Sequence, residues 1–185
     1  MGIRCFLGIP LPEAYQQNLE AISTAWRNRL HSRMSWTRKG KWHITLSFLG
    51  EISDEALDEV QSALDRLSRP SFDLQAGGAG FFPPGKPPRV AWIGVKTGAE
   101  ALQGLARDIE QILLPLGFAP SRKPFQAHLT LARIKQVKND DWQAFLKDLQ
   151  ARRWPVFRAE ACVLWQSSLT PQGPLYSPIK VYPFT

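Results

Sequence analysis

The sequence is poor in the features that mark several common protein classes. It contains 2 cysteines in 185 residues, and both Cys5 and Cys162 lie in apolar runs without the spacing of a zinc site. This indicates buried thiols in a reducing compartment rather than a disulfide framework. No stretch offers about 18 uninterrupted apolar residues, and the N-terminal MGIRCFLGIP is too short for a secretory signal. We therefore expect a cytoplasmic protein that does not span a membrane.

Several catalytic motifs are missing as well. There is no G-x-S-x-G stretch, which argues against a serine hydrolase with a nucleophile elbow. Gly77, Gly78 and Gly80 form a glycine-rich segment, but no Lys-Ser/Thr pair follows it. This excludes the phosphate-binding loop of P-loop NTPases.

Acidic residues are the minority charge. The chain has 23 Lys and Arg against 16 Asp and Glu, a formal net charge of +7 and a pI of about 9.7. This balance favours a polyanionic partner such as RNA, DNA or an anionic membrane surface, although charge that only serves solubility stays an open alternative. The length predicts one domain with two lobes, spanning residues 1–185.

Hydrophobic periodicity alternates between strand and helix patterns, and hairpin-like connections near Pro83 and Pro171 favour an α+β fold with mostly antiparallel pairing. Each half of the chain has a polar motif strand followed by a helix, which indicates a pseudo-symmetric, two-lobed arrangement. The predicted strands are Ile3–Ile9, Met34–Thr37, Trp42–Leu49, Phe72–Phe82, Arg89–Val95, His128–Ile134, Val156–Gln166 and Leu175–Pro183, and the predicted helices are Pro12–Arg29, a stripe from Ala56 to Leu67 capped by Ser53, Ala99–Leu116 and Asp140–Gln150.

The chain has 3 histidines, and two of them stand in the same setting: HITLSFLG at 43–50 and HLTLAR at 128–133. Since residues i and i+2 share a strand face, His43 points with Thr45, and His128 points with Thr130. Ile44, Leu46 and Phe48 are expected to face the core. A single His-x-Thr stretch is usually the solvated polar face of a strand and has no function. Duplication of a purely structural strand would also explain why the motif occurs twice. Catalysis nevertheless explains two matching histidines better than core packing does, because histidine is poorly suited to a core.

Two imidazoles can hold opposite protonation states near neutral pH, so that one accepts a proton while the other donates one. Two adjacent hydroxyls can donate hydrogen bonds to the non-bridging oxygens of a phosphate. The pattern therefore favours opening or forming a phosphodiester. Neither motif adds an Asp, Glu or Cys, so we expect no metal site and no cofactor.

These motifs resemble those of the two-histidine (2H) phosphoesterase superfamily, in particular the bacterial and archaeal RNA 2′,3′-cyclic phosphodiesterases, also called 2′-5′ RNA ligases. The resemblance covers nearly the whole chain. Ala127 departs from it, because the family commonly has Pro before the second histidine. The matching segments are RCFLGIP at 4–10, WHITLSFLG at 42–50, PRVAW at 88–92, FQAHLTLAR at 125–133 and SLTPQGPLY at 168–176.

The resemblance implies a bilobal, pseudo-symmetric α+β fold with a central cleft and outer helices. It implies hydrolysis of the terminal 2′,3′-cyclic phosphate of RNA, tRNA fragments included, to a 2′-phosphate. His43 would donate the proton to the departing 3′ oxygen, and His128 would activate water. Thr45 and Thr130 would bind the phosphate.

Other roles are left open. Arg133 would neutralise phosphate charge, or form a surface ion pair, because a regular strand puts position +5 on the opposite face from His128. Phe6, Phe48 and Phe125 are candidates for stacking on a base, with core packing favoured for Phe48. Tyr176 is not expected to reach the cleft.

Three functions remain in view: the cyclic phosphodiesterase, a 2′-5′ RNA ligase using the same cleft, and a binding module for RNA or nucleotides without catalysis. Both motifs are intact, which favours an enzyme. Nothing in the sequence requires more than a monomer.

Overall fold

The fold is seen in a computed structural model that describes residues 2–121, 123–171 and 173–185. Within these ranges the chain forms nine strands, four α-helices and one short 3₁₀ helix. The strands are β1 Ile3–Pro10, β2 Arg33–Trp36, β3 His43–Ile52, β4 Phe72–Phe82, β5 Val90–Thr97, β6 His128–Gln136, β7 Phe157–Ala159, β8 Ala161–Thr170 and β9 Gly173–Pro183. The helices are α1 Glu13–Arg27, α2 Asp54–Leu64, α3 Ala99–Leu113 and α4 Trp142–Ala151, with the 3₁₀ helix at Leu114–Leu116.

The described strands form a sheet in the order β7-β4-β5-β6-β3-β1-β8-β9, and β2 pairs with β6 beside this path. Every one of these pairings is antiparallel. The predicted α+β class with antiparallel pairing is thus confirmed. The order also brings β3 and β6, the two motif strands, side by side at the centre of the sheet.

The helices form where the sequence supplies caps and apolar stripes. The Ser53 side chain accepts a hydrogen bond from the backbone N–H of Ala56 at the start of α2, and Asp141 does the same for Ala144 at the start of α4. The helices then bury one face against the sheet. Fully buried apolar side chains from α1 and α3 include Leu19, Ile22, Leu102, Leu105 and Ile109.

The two halves repeat one arrangement. β1, α1 and β3 in the first half correspond to β5, α3 and β6 in the second. His43 lies opposite Pro10 of β1, and His128 lies opposite Gly94 of β5. Both registers continue in step as far as the two motif threonines. The predicted pseudo-symmetry is therefore built on the strands that carry the motifs.

The structure differs from the sequence prediction around β8. The predicted strand Val156–Gln166 is two strands, β7 and β8. Residues 168–174 were expected to form a loop, but β8 continues to Thr170 and β9 begins at Gly173. Gln172, between them, lies outside the described residues. The longer hairpin brings Pro174 within reach of Lys41, whose ammonium donates to the Pro174 carbonyl.

No helix in the described part of the chain has the length and apolar character needed to cross a membrane.

Candidate active site

The four motif side chains meet at the centre of the sheet. Ile44 of β3 pairs with Leu129 of β6 in antiparallel register. His43 and Thr45 flank Ile44, and His128 and Thr130 flank Leu129, so the four side chains surround this pair. All four line the same cleft. Two imidazoles and two hydroxyls therefore converge on one part of the cleft.

Both imidazoles are anchored in the same way. His43 Nδ1 lies 2.9 Å from the Lys41 carbonyl oxygen, and His128 Nδ1 lies 2.7 Å from the Gln126 carbonyl oxygen. A carbonyl only accepts, so each Nδ1 carries the hydrogen and donates it. In the neutral ring, Nε2 then holds the lone pair. Each histidine therefore presents Nε2 as the atom that exchanges protons.

Burial favours the neutral form of both histidines. It lowers the pKa of His43 to about 4, against a smaller opposing effect of the bond to the Lys41 carbonyl and with a further lowering by the nearby His128. Burial also lowers the pKa of His128, which the Gln126 carbonyl opposes and the charge of Arg133 reinforces. An anion bound between the rings would act in the opposite direction and raise both pKa values.

Aromatic rings pack around the histidines unequally. The Phe6 ring centroid lies 4.7 Å from that of His43, and Tyr176 makes an edge contact with His43 at 5.3 Å. His128 has an edge contact with Phe82 at 5.1 Å. Tyr176 thus reaches the cleft, and the expectation that it would not was wrong. The signal was weak because the long β8–β9 hairpin, which carries Tyr176, is brought to β3 only through β1.

Two matching β-bulges shape the cleft wall. One interrupts β3 at Leu46 and the other interrupts β6 at Leu131, each three residues after the motif histidine. An extra residue reverses the alternation of side chains beyond it. The side chains five residues after the histidines, Phe48 and Arg133, therefore return to the cleft face.

Because of these bulges, Phe48 does not lie where the sequence predicted, and Arg133 lies on the same strand face as His128. Phe48 does not pack in the core with Ile44 and Leu46, because its side chain is 70% exposed and lines the cleft. Arg133 lies on the same face as His128 and also lines the cleft. Within the described residues, Arg133 makes no ion pair, so the surface-pair alternative is not what the fold provides.

The cleft has a volume of about 1030 Å³ and a positive lining. Among the described residues, no Asp or Glu lines it, and none of its Arg or Lys side chains forms a salt bridge. The net charge of +7 therefore includes a concentrated patch at the motifs. Sequence reasoning missed most of this patch because its members come from β1, α1 and the segment between β2 and β3. The cleft-lining cations are Arg4, Arg27, Arg38, Lys41 and Arg133.

Among the described residues, the cysteine and acidic side chains do not form a second candidate site. Cys5 and Cys162 are free and buried, and burial raises the pKa of both thiols, that of Cys162 to about 12. In the described ranges, no group of three or more His, Cys, Asp or Glu side chains is placed to hold a metal ion.

Comparison with known protein families agrees with this geometry. A family model described as "LigT like Phosphoesterase" matches residues 9–92 and again residues 93–176, so the chain contains two successive copies. The second match begins within β5, just as the first begins within β1, its counterpart in the structural repeat.

Known relatives match over most of the chain. An RNA 2′,3′-cyclic phosphodiesterase from Aeropyrum pernix is 36% identical over 136 residues, 73% of this chain and 77% of the relative. A crystal structure of a Thermus thermophilus protein has a TM-score of 0.79 at 27% identity, covering 97% of both chains. E. coli LigT complexed with 3′-AMP has a TM-score of 0.77 at 24% identity, covering 100% of this chain and 99% of LigT, which shows a shared fold. The resemblance found in the sequence is confirmed: the chain belongs to the LigT-like, two-histidine phosphoesterase family.

Proposed function

We propose that this protein hydrolyses the terminal 2′,3′-cyclic phosphate of RNA to a 2′-phosphomonoester, without a metal. The observation that carries the proposal is the pair of identically anchored histidines, which line one cleft together with both motif threonines. The Aeropyrum relative, named for this activity, supports the choice of substrate. We further propose that both halves form a single catalytic domain, because each contributes one member of each pair.

Binding begins with the phosphate. Thr45 and Thr130 donate hydrogen bonds to its non-bridging oxygens, and Arg133 adds a full positive charge on the same face. The remaining cations of the cleft attract the polyanionic RNA behind the reacting end. The phosphate monoanion then offsets the burial of the imidazoles and raises their pKa values, so that one of them is protonated in the complex.

The reaction needs one acceptor and one donor of protons. His128 Nε2 takes a proton from water as the water oxygen bonds to phosphorus. The bond between phosphorus and the 3′ oxygen breaks, and His43 Nε2 gives its proton to that oxygen. The product carries a 2′-phosphate, and the two histidines exchange their protons with solvent before the next turnover. The assignment of donor and acceptor follows the family resemblance, since the two anchors are alike.

The thiols bear on the compartment in which the protein acts. Two free, buried thiols suit a reducing environment, and we propose that the protein acts in the cytoplasm.

The test is hydrolysis of an oligoribonucleotide ending in a 2′,3′-cyclic phosphate, in the presence of EDTA. Wild type is compared with His43→Ala and His128→Ala. The third histidine provides the matched control, because His31 is exposed and does not line the cleft. We expect turnover to a 2′-phosphate in wild type and His31→Ala, and its loss in the other two variants.

Two results would redirect the proposal. A folded wild type that binds the RNA but does not open the cyclic phosphate would leave a binding module. Joining of a 5′-hydroxyl RNA to the cyclic end, faster than hydrolysis, would favour the ligase.

A further inference from the structure

Gln16 is a polar side chain buried on the inner face of α1. It is 7% exposed and lies between the buried side chains of Tyr15 and Leu19. A buried amide destabilises the fold unless both its N–H groups and its oxygen find partners. A leucine or methionine would cover the sheet at this position without that requirement. Packing alone therefore does not account for the amide.

Both ends of this amide bind the backbone on either side of Lys41. The Gln16 oxygen accepts a hydrogen bond from the Gly40 N–H at 2.9 Å, and its Nε2 donates to the Trp42 carbonyl at 3.1 Å. The Lys41 N–H donates to the Arg38 carbonyl at 3.0 Å, and Gly40 takes the left-handed conformation, with a φ of 81°. The turn before β3 is therefore closed locally and fastened to α1 by one side chain.

The carbonyl of Lys41 anchors the first motif histidine. Its oxygen lies 2.9 Å from His43 Nδ1. Because peptide groups are planar, the direction of this carbonyl depends on the backbone immediately before and after it. Gln16 holds a polar group on each side, the Gly40 N–H and the Trp42 carbonyl. If the turn moved, the ring would lose its acceptor at Nδ1 and could rotate or take the other tautomer.

The second half supports its histidine differently. The loop that anchors His128 borders an open groove of about 550 Å³, lined by residues 125–127 and by Gln103 of α3. Gln103 is exposed, whereas Gln16 is buried. The two anchoring hydrogen bonds are thus alike, but only the turn before His43 is tied to the helix of its own half by a buried amide.

We propose that Gln16 is a positioning residue for proton donation by His43. By fixing the Lys41 carbonyl, it keeps Nδ1 of the ring occupied and Nε2 directed at the substrate. This inference rests on the proposed function and deepens it. Gln16 does not line the cleft, so it acts through Lys41 and not on the substrate. Its loss should therefore lower kcat, while the groups that bind the phosphate and set KM stay in place.

The test compares wild type with Gln16→Met, which keeps the size of the side chain and removes both hydrogen bonds. Gln17→Met is the matched control, because Gln17 is the next residue on α1 but is exposed and contacts only Glu13, at 3.2 Å. Steady-state kinetics uses the cyclic-phosphate oligoribonucleotide and the same substrate with sulfur in place of the bridging 3′ oxygen. Nitrogen NMR of the His43 ring needs no turnover, and thermal unfolding shows that each variant is folded.

We expect Gln16→Met to lower kcat on the oxygen substrate by roughly 10- to 100-fold, as for a misplaced catalytic group, and to leave KM nearly unchanged. On the sulfur substrate its kcat should match that of wild type, because a thiolate leaves without a proton. The nitrogen signals of His43 should move toward those of a mixture of tautomers, while those of His128 stay in place. Gln17→Met should match wild type in each measurement.

Gln16→Glu is a second variant that keeps the shape and one of the two hydrogen bonds. An ionised carboxylate accepts from the Gly40 N–H but cannot donate to the Trp42 carbonyl, whereas a protonated carboxyl can make both bonds. Burial favours the protonated form. We therefore expect kcat of Gln16→Glu, relative to wild type, to recover as the pH is lowered. This recovery tests the proposal even if Gln16→Met does not fold.

A folded Gln16→Met with unchanged kcat would overturn the proposal. Equal losses of kcat on the oxygen and sulfur substrates, with the His43 signals unmoved, would overturn it as well, because Gln16 would then serve only the stability of the fold. If wild type failed to hydrolyse the substrate, a shift of the His43 signals in Gln16→Met would uphold the positioning role while removing the proposed reaction.

Discussion

His43 and His128 are held alike, yet they lie in different surroundings. Each donates Nδ1–H to the carbonyl two residues earlier, and each is followed by a bulge at the third residue. Around His43 lie aromatic rings of Phe6, Trp165 and Tyr176. The charge of Arg133 acts on His128 instead.

The two halves share the backbone features that hold the histidines and differ in the side chains around them. The register, the anchors and the bulges fix where two Nε2 atoms stand, and they are the same in both halves. The residue at the fifth position changes the environment without moving the backbone. One half can therefore specialise in charge and the other in an apolar surface, while the reacting geometry stays symmetric.

The largest expected effect comes from removing either histidine. We expect His43→Ala and His128→Ala each to reduce kcat by roughly 10²- to 10⁴-fold, the range for loss of a general acid or base. The double variant should be little worse than the poorer single variant, because a donor and an acceptor act as a unit. Steady-state kinetics with a cyclic-phosphate oligonucleotide measures all three. Additive losses would show that the two halves act independently.

Arg133→Gln removes the charge that distinguishes the second half. We expect kcat/KM to fall by roughly 10- to 150-fold, as for a lost hydrogen bond to a charged group. The pKa of His128 should rise, because Arg133 lowers it in the wild type. A pH titration of the His128 ring by NMR measures this shift. Arg152→Gln is the control, since Arg152 pairs with Asp148 at 2.9 Å outside the cleft.

The pH profile tests whether both halves bury their histidines as described. In the free enzyme the donor must be protonated and the acceptor neutral, and both pKa values lie below 6.5. When the pH exceeds both pKa values, the fraction of enzyme that has a protonated donor and a neutral acceptor falls as pH rises. We therefore expect kcat/KM to be greatest below about pH 6.5 and to fall about tenfold per pH unit above neutrality. The kcat profile should lie at higher pH, because bound phosphate raises both pKa values. A kcat/KM that rises between about pH 7 and 8 would contradict this account.

A smaller effect is expected from Gly8→Ala, which disturbs the contact of β1 with β3, the strand that carries His43. A Cβ at Gly8 would lie 2.5 Å from the Ile44 carbonyl oxygen and 3.2 Å from the Trp165 ring. The backbone of β3 must then move, at a cost of roughly 1–3 kcal/mol and about 2–12 °C in Tm. Gly104→Ala is the control, since its Cβ would meet the movable end of Arg69. Thermal unfolding of both variants checks the difference.

The sequence was sufficient for most of the strands, the antiparallel class and the two His-x-Thr motifs, because alternation and a repeated pattern are local signals. The predicted single strand Val156–Gln166 is divided into β7 and β8. Phe72–Phe82 was predicted with the observed bounds. The directions of Phe48 and Arg133 could not be derived in the same way, since a bulge depends on the register with a partner strand. The contact of Tyr176 with His43 depends on how distant strands are ordered. The depth of burial that lowers the His43 pKa depends on both.

We propose that the two equally anchored histidines serve opposite proton transfers, and a substrate with sulfur in place of the bridging 3′ oxygen distinguishes their roles. A thiolate leaves without a proton, so the donor becomes unnecessary while the acceptor is still needed. We predict that this substrate restores most of the turnover of His43→Ala and none of that of His128→Ala. Rescue of His128→Ala, or of neither variant, would contradict the division of roles.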